Sequence, residues 1–347
     1  MESYLNRREF VKKAALSSIG FSLLGNLSSF GSQNVAPGKR VGIIGLDTSH
    51  VTAVTSSLNV PKQGMDWKGY KVVAAYPTKG SADMKESIGR LAGFTDTVKS
   101  MGVEIVDSIE DLLKRVDVVL LESVDGRRHL REALPVLKAK KRLFIDKPIA
   151  ASLADAMAIF NAANRYDTPI FTASSLRYIT GANEVAEGKL GKVQGADAYG
   201  HCYIEPHHPD LFYYGIHGIE ILYAIMGAGC KSVGRTHLKD SDLVVGRWSD
   251  DRIGTFRGTR FGTGNMGVTV FGDKGIEVLD KSPGYDPLWV KVIDFFETGI
   301  VPVSPEETLE ILAFMEAADE SKLKGGAVVE LEAVMQRARK KIKDIAH

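Results

Sequence analysis

An acid, a lysine and a proline follow one another at Asp146-Lys147-Pro148, directly after the apolar run Leu143-Phe144-Ile145. Proline restricts the residue before it to an extended conformation, which helps hold the Lys147 ammonium at one place. Taken alone, Asp146 and Lys147 read as a solvated ion pair at a strand end. Metal-capable side chains are densest at His201-Cys202-Tyr203-Ile204-Glu205-Pro206-His207-His208-Pro209-Asp210. With His217 and Glu220 this stretch offers enough nitrogen and oxygen ligands for zinc. Its spacing matches no metal motif, however, and a polar sugar pocket uses the same residue types, so no metal is expected. His217 and Glu220 stand one helical turn apart on one face, where the carboxylate could orient the imidazole or a substrate hydroxyl. On its own, His217 reads as a buried helix histidine. Phe212, Tyr213 and Tyr214 could pack or stack on a sugar ring.

These residues need a scaffold, and the hydrophobic pattern supplies one. Val41 to Gly45, Tyr70 to Tyr76, the short Val103 to Val106, Asp117 to Leu121 and Arg142 to Ile145 read as strands, mostly apolar without alternation, as expected of strands covered on both faces. Val51 to Leu58, Ala82 to Met101, a segment starting at Ser108, Arg127 to Lys140 and Leu153 to Arg165 read as helices between or after them. Asp47 or Thr48 and Ser108 are candidate N-caps. Alternating strands and helices predict a doubly wound parallel sheet, whose ligand crevice lies at the C-terminal strand edge. Pro169 to Phe171 reads as a sixth strand. Beyond it, Gly191 to Tyr203, Ser232 to His237, Arg252 to Arg257 and Gly267 to Phe271 predict a mostly antiparallel open sheet in an α+β domain. Ser304-Pro305-Glu306-Glu307 is a capping box with proline at the first helical position, and Ile311, Phe314, Met315 and Ala318 form a core-facing stripe. The fold class is therefore α/β.

The chain has 347 residues, enough for two domains, and a formal net charge of +1. That balance gives no electrostatic footprint for nucleic acid and no basic face for a membrane. Two cysteines, Cys202 and Cys230, exclude a disulfide framework; one bridge between them is compatible with an oxidising compartment, and two unlinked core thiols are the simpler reading. The expected division is a signal over 1–36, a dinucleotide-binding domain over 37–150 and a substrate domain over 151–347, with the C-terminal helices packing back on the first domain. Asn6-Arg7-Arg8-Glu9-Phe10-Val11-Lys12-Lys13, followed by the moderately apolar Ala14 to Leu27, resembles a Tat export signal. That implies a periplasmic or cell-envelope location.

After that segment the chain resembles the Gfo/Idh/MocA family of oxidoreductases. The motifs that carry the resemblance are Val41 to His50, at the position of the glycine fingerprint; Leu121-Glu122-Ser123 through His129; Asp146-Lys147-Pro148, where the family has Glu-Lys-Pro; Ser175-Leu176-Arg177-Tyr178; Tyr214-Gly215-Ile216-His217-Gly218-Ile219-Glu220; and Gly272-Asp273-Lys274-Gly275. The resemblance implies tightly bound NAD or NADP across the first sheet, touched by Gly45, Asp47, Thr48, Ser49, His50, Ser123, His129, Asp146 and Lys147. A sugar or polyol in the crevice, beside Arg177, Tyr178, His207, His208 and Tyr214, would undergo hydride transfer at a carbinol carbon. Lys147 then corresponds to the lysine that holds the hydroxyl and the cofactor ribose, and His217 to the acid–base histidine, with Tyr213 and Glu220 as auxiliary groups. It also implies a homo-oligomer paired through the second sheet.

Two departures concern the cofactor. Gly45-Leu46-Asp47-Thr48-Ser49-His50 keeps the first fingerprint glycine and loses the other two, placing Asp47 where backbone normally approaches pyrophosphate. Asp47 could also cap the following helix and occupy the amides that phosphate uses. After the second strand, Tyr76-Pro77-Thr78-Lys79-Gly80-Ser81 lacks the acid that selects NAD, so Thr78, Lys79 and Ser81 favour NADP slightly. Two other outcomes remain open at this level: a glycoside-cleaving enzyme working by oxidation, elimination and reduction, and a non-catalytic sugar-binding relative without dinucleotide.

Overall fold

The computed structural model describes residues 38–345 except Pro283, with side chains up to residue 342. The twin-arginine block and the apolar stretch behind it lie outside the described residues. The first sheet contains β1 (Arg40–Ile44), β2 (Lys71–Tyr76), β3 (Glu104–Ile105), β4 (Val118–Leu121), β5 (Leu143–Ile145) and β6 (Ile170–Phe171). Its order is β3-β2-β1-β4-β5-β6 and every pairing is parallel. The intervening helices are α1 (His50–Asn59), α2 (Lys85–Ser100), α3 (Ile109–Leu113), α4 (His129–Lys138) and α5 (Leu153–Arg165). The order reverses between β1 and β4, and that switch point opens a crevice at the C-terminal strand ends.

Strand residues alternate between two cores. Val41, Ile43, Leu120, Phe144 and Phe171 face one, while Ile44, Val119, Leu121, Leu143 and Ile145 face the other. Ser108 and Ser152 cap α3 and α5 by accepting the amides of Asp111 and Asp155, each at 3.1 Å. Each cap is worth about 1 kcal/mol.

The second half contributes α6 (Ala182–Ala186), β7 (Val193–His201), α7 (Ile216–Met226), β8 (Cys230–Leu238), β9 (Ser241–Trp248), β10 (Ile253–Thr259), β11 (Gly267–Gly272), β12 (Gly275–Leu279), α8 (Asp286–Thr298), α9 (Pro305–Leu323), β13 (Val329–Glu330) and α10 (Leu331–Ile345). The second sheet runs β12-β11-β7-β10-β9-β8-β13, antiparallel except for the β7–β10 pair. α7 packs against it closely because residue 218 is glycine; a Cβ there would come within 2.2 Å of the Phe256 ring. Ser304 accepts the Glu307 amide at 3.1 Å, as the capping pattern predicts. The Glu307 side chain does not reciprocate and instead reaches Arg177. Cys202 and Cys230 are buried and unbridged.

Sequence patterning misses three strands and two helices, the short α6 among them. β9 and its partner β8 turn Arg235 and Asp242 inward, so neither shows a purely apolar face. β12 and β13 are short edge strands. α8 carries Leu288, Trp289, Val292, Ile293, Phe295 and Phe296, all buried, and lies on the first sheet: Trp289 meets Phe144 at 6.3 Å and Phe295 meets Phe171 at 5.0 Å between ring centroids. α9 also reaches the first half, where Glu316 accepts the Leu153 amide at 2.7 Å.

The Arg235 side chain is fully buried and donates to Asp242 at 2.8 Å, Asp319 at 2.5 Å and Asp210 at 2.9 Å. Burial still pushes Asp319 up to about 7, against the pull of Arg235. Removing the guanidinium would leave these carboxylates without their shared cation. Arg235→Leu should therefore cost about 3–5 kcal/mol, read as a lower urea midpoint; a loss below about 1 kcal/mol would mean that water replaces the arginine.

Candidate active site

The crevice is built from the turns after β1, β4 and β5. Gly45 has φ +86°, and a Cβ on it would lie 2.4 Å from Ser123 Oγ and 2.5 Å from the Ser123 amide nitrogen. Only glycine fits, because the β1 turn crosses directly over the β4 turn. α1 begins at His50 with Ser49 at its N-cap and no side-chain cap. The expected cap from Asp47 or Thr48 is therefore corrected. Asp47 is fully buried and turns its carboxylate the other way, accepting from Ser87 Oγ at 2.5 Å and from the Val124 amide at 2.9 Å. Burial raises its pKa.

Three side chains meet at the switch point. His50 Nδ1 lies 2.8 Å from Asp146 Oδ2 and 3.9 Å from Glu122 Oε2. Glu122 directly follows β4, is fully buried, and has no hydrogen-bond partner on either carboxylate oxygen. Burial, reinforced by Asp146, drives its pKa well upward. Asp146 directly follows β5; burial pushes it up, but His50 and Lys147 outweigh that and hold it down to about 2. Sequence reasoning passed over Glu122 in this role, although an acid ending the apolar run Val118 to Leu121 is the signal that would have found it.

Lys147, His217, Tyr213, Tyr214, Thr48, Ser49 and His50 share one cavity of about 280 Å³. Lys147 comes from the first sheet and His217 from the first turn of α7, so the two halves of the chain meet there. His217 Nδ1 lies 2.7 Å from Ser174 Oγ, which also accepts the Leu176 amide at 3.2 Å. Burial, then the charges of Lys147 and His50, lower the His217 pKa well below its ordinary value, so the ring is neutral. A second cavity of about 560 Å³ adjoins, sharing Leu176, Tyr214, Met266 and Ser282 and adding the glycine-rich turn Gly262 to Asn265.

Other expected residues lie elsewhere. Glu220 does not orient His217; it pairs with Arg177 at 3.1 Å, and Arg177 also bonds Glu307, tying α7 to α9. Arg177 is thereby spent on a buried ion pair rather than offered to substrate. The Tyr178 hydroxyl is buried without a partner. His129 is fully buried, with Nε2 2.7 Å from the Ser123 carbonyl and Nδ1 3.0 Å from that of Pro148, so it clamps the β4 and β5 turns together. Ser123 Oγ donates to Glu132 at 2.7 Å. His207 and His208 both bond Glu205, and His208 Nε2 lies 3.3 Å from Asp125; neither lines the cavity. Tyr213 lines it but donates its hydroxyl to Glu86 at 2.7 Å.

On the β2 side the crevice is stapled shut. Ser81 Oγ donates to Asp125 at 2.5 Å, Arg127 makes a bidentate pair with Asp83 at 2.8 Å, and Arg128 donates to the Gly80 carbonyl. The Asp47–Ser87 bond adds a fourth crossing. Thr78 is buried at φ +64°, and Lys79 is exposed.

A model of an oxidoreductase family with an NAD-binding Rossmann fold, GFO_IDH_MocA, matches residues 39–173. No curated protein matches in sequence. Among solved structures, GenD2 from gentamicin A biosynthesis in complex with NAD is similar with a TM-score of 0.68 and 16% identity, over 89% of this chain and 99% of that one. The scyllo-inositol dehydrogenase of Lactobacillus casei with bound NAD(H) and scyllo-inositol has a TM-score of 0.65 and 16% identity, over 84% and 99%. The myo-inositol dehydrogenase of the same organism, in complex with NAD(H) and myo-inositol, has a TM-score of 0.65 and 17% identity, over 84% and 96%.

A dinucleotide lying across such a sheet uses both sides of the switch point. The uncapped start of α1, facing the cavity, suits a phosphate. The bonds that cross the β2 side stand where the adenosine half of a dinucleotide would lie. Asp47 is one cause, standing where the fingerprint has its second glycine. Asp47→Gly removes an acid, one of the crossing bonds and the bond to the Val124 amide, and should raise NAD⁺ affinity about tenfold or more by isothermal calorimetry. Unchanged or weaker binding would exonerate Asp47.

Proposed function

From the premise that the chain belongs to the Gfo/Idh/MocA oxidoreductase family, we propose that it acts on a sugar, polyol or sugar derivative at a carbinol carbon held between Lys147 and His217. The observation that carries this reading is the convergence of these two side chains, from different halves of the chain, on one cavity. A neutral imidazole can take the hydroxyl proton, and an ammonium can stabilise the alkoxide that develops as it leaves. Ser174 positions the imidazole through Nδ1. Tyr214, which lines both cavities, offers an aromatic face to a sugar ring, and the adjoining 560 Å³ space suits a substrate larger than one ring. The hydride leaving the same carbon needs an acceptor of the NAD(P) class.

The stapling across the β2 side favours a second reading, a relative that handles an oxygen-rich ligand without dinucleotide. NAD against NADP is not decided by Lys79, which is exposed. Export by a Tat-type signal belongs to the proposal and rests on Asn6 to Lys13 and the stretch behind it. Pairing of subunits through the second sheet is supported by the exposed Ile253, Ile276 and Val278 on its strands.

Native mass spectrometry of the protein as purified separates the two readings: a retained mass of NAD or NADP upholds the redox one, and a bare chain that gives no heat with either dinucleotide removes it. With a panel of polyols, sugars and glycosides, turnover should fall about 10²- to 10⁴-fold in Lys147→Ala and in His217→Ala, with circular dichroism unchanged. Full turnover in both variants would remove the proposed roles.

A further inference from the structure

Glu122 is the most anomalous side chain in the described structure. Buried carboxylates are nearly always hydrogen-bonded, because stripping one of water without replacing its partners is costly. Glu122 is fully buried, neither of its oxygens has a partner, and it faces another acid, Asp146. Core packing alone gives no reason to place two acids together there. One ligand atom each from His50, Glu122 and Asp146 lies within 4.8 Å of the other two, and two of the separations are 2.8 and 3.9 Å. In a tetrahedral site with ligands about 2.0–2.2 Å from the ion, ligand atoms sit roughly 3.3–3.6 Å apart. The observed triangle needs only adjustments of side-chain torsions to close around an ion.

We propose that His50, Glu122 and Asp146 bind a divalent first-row metal ion, of the Zn²⁺ or Mn²⁺ class, at the C-terminal ends of β1, β4 and β5. One imidazole and two carboxylates form the mixed nitrogen and oxygen set that such ions take, and the two acids balance the ionic charge. Glu122 and Asp146 directly follow strands, and His50 opens α1, so all three donors sit on rigid elements. His50 also lines the cavity shared by Lys147 and His217. His50 is the corner of the triangle that reaches this cavity, and through it adjacent hydroxyls, or a hydroxyl beside a carbonyl, of an oxygen-rich ligand would approach the ion. The site also accounts for His50 at the position of the third fingerprint glycine, since a glycine there could ligate nothing. Binding does not depend on the proton chemistry assigned to Lys147 and His217.

The test is metal content of the full chain as purified, followed by chelator treatment and titration with Co²⁺, read by its visible absorption. One Zn²⁺ or Mn²⁺ per chain is expected, with saturable Co²⁺ binding. Glu122→Gln and Asp146→Asn should each weaken that binding at least about a hundredfold. His50→Ala, at the less buried corner, serves the same purpose should either carboxylate variant fail to fold. A metal-free protein with no saturable Co²⁺ spectrum overturns the proposal, as does wild-type affinity in Glu122→Gln or His50→Ala. Binding lost instead in His207→Ala would place the ion at Glu205 and overturn it too. Because the readout is metal rather than turnover, none of these outcomes bears on Lys147→Ala or His217→Ala.

Discussion

Two acids buried side by side at the edge of a parallel sheet set the terms for everything around them. Glu122 and Asp146 end adjacent strands, so β4–β5 pairing fixes their proximity, and neither can leave without unmaking the sheet. Their mutual repulsion must be met by positive charge or by protons. His50, Lys147 and the uncapped start of α1 all converge on that need. The altered glycine loop follows from the same demand: one lost glycine supplies His50, and another supplies Asp47, whose carboxylate knits the β1 turn to α2 and to the β4 turn.

The crevice is consequently asymmetric about the switch point. On the side of β4 to β6 it is open, polar and shared with the second half of the chain. On the side of β2 and β3, hydrogen bonds and ion pairs from residues 80 to 87 and 124 to 128 hold two loops together. Several of these bonds are charge-assisted or wholly buried, the kinds that contribute most. Glu205 and His208 brace that side from the second half of the chain through Asp125.

Much of this was legible in the sequence. Covered strands such as Leu143 to Ile145 and Val118 to Leu121 announce themselves as unbroken apolar runs, and Ser108 and Ser304 mark helix starts at the residue. Lys147 and His217 were found because the motifs around them stand in a recognisable order. What stayed hidden depends on partners distant in the chain. Asp47 could be a cap or a bridge, and only the position of Ser87 decides. Glu220 shares a helix face with His217 yet answers to Arg177, since a buried guanidinium attracts a carboxylate more strongly than a neutral imidazole does. β9 escaped notice because the inward positions of β8 and β9 hold a salt-bridge cluster, which erases the apolar alternation that identifies a half-buried strand. α8 carries a plain apolar stripe, but nothing local says that it belongs to the first sheet.

That last feature has a consequence for how the molecule is made. One face of the first sheet is sealed by Trp289, Phe295 and their neighbours, which leave the ribosome long after β1 to β6. The nascent sheet must therefore wait, with Phe144 and Phe171 bare, until residues 286 to 298 arrive. Contacts this distant in sequence slow folding and prolong the exposure of apolar surface.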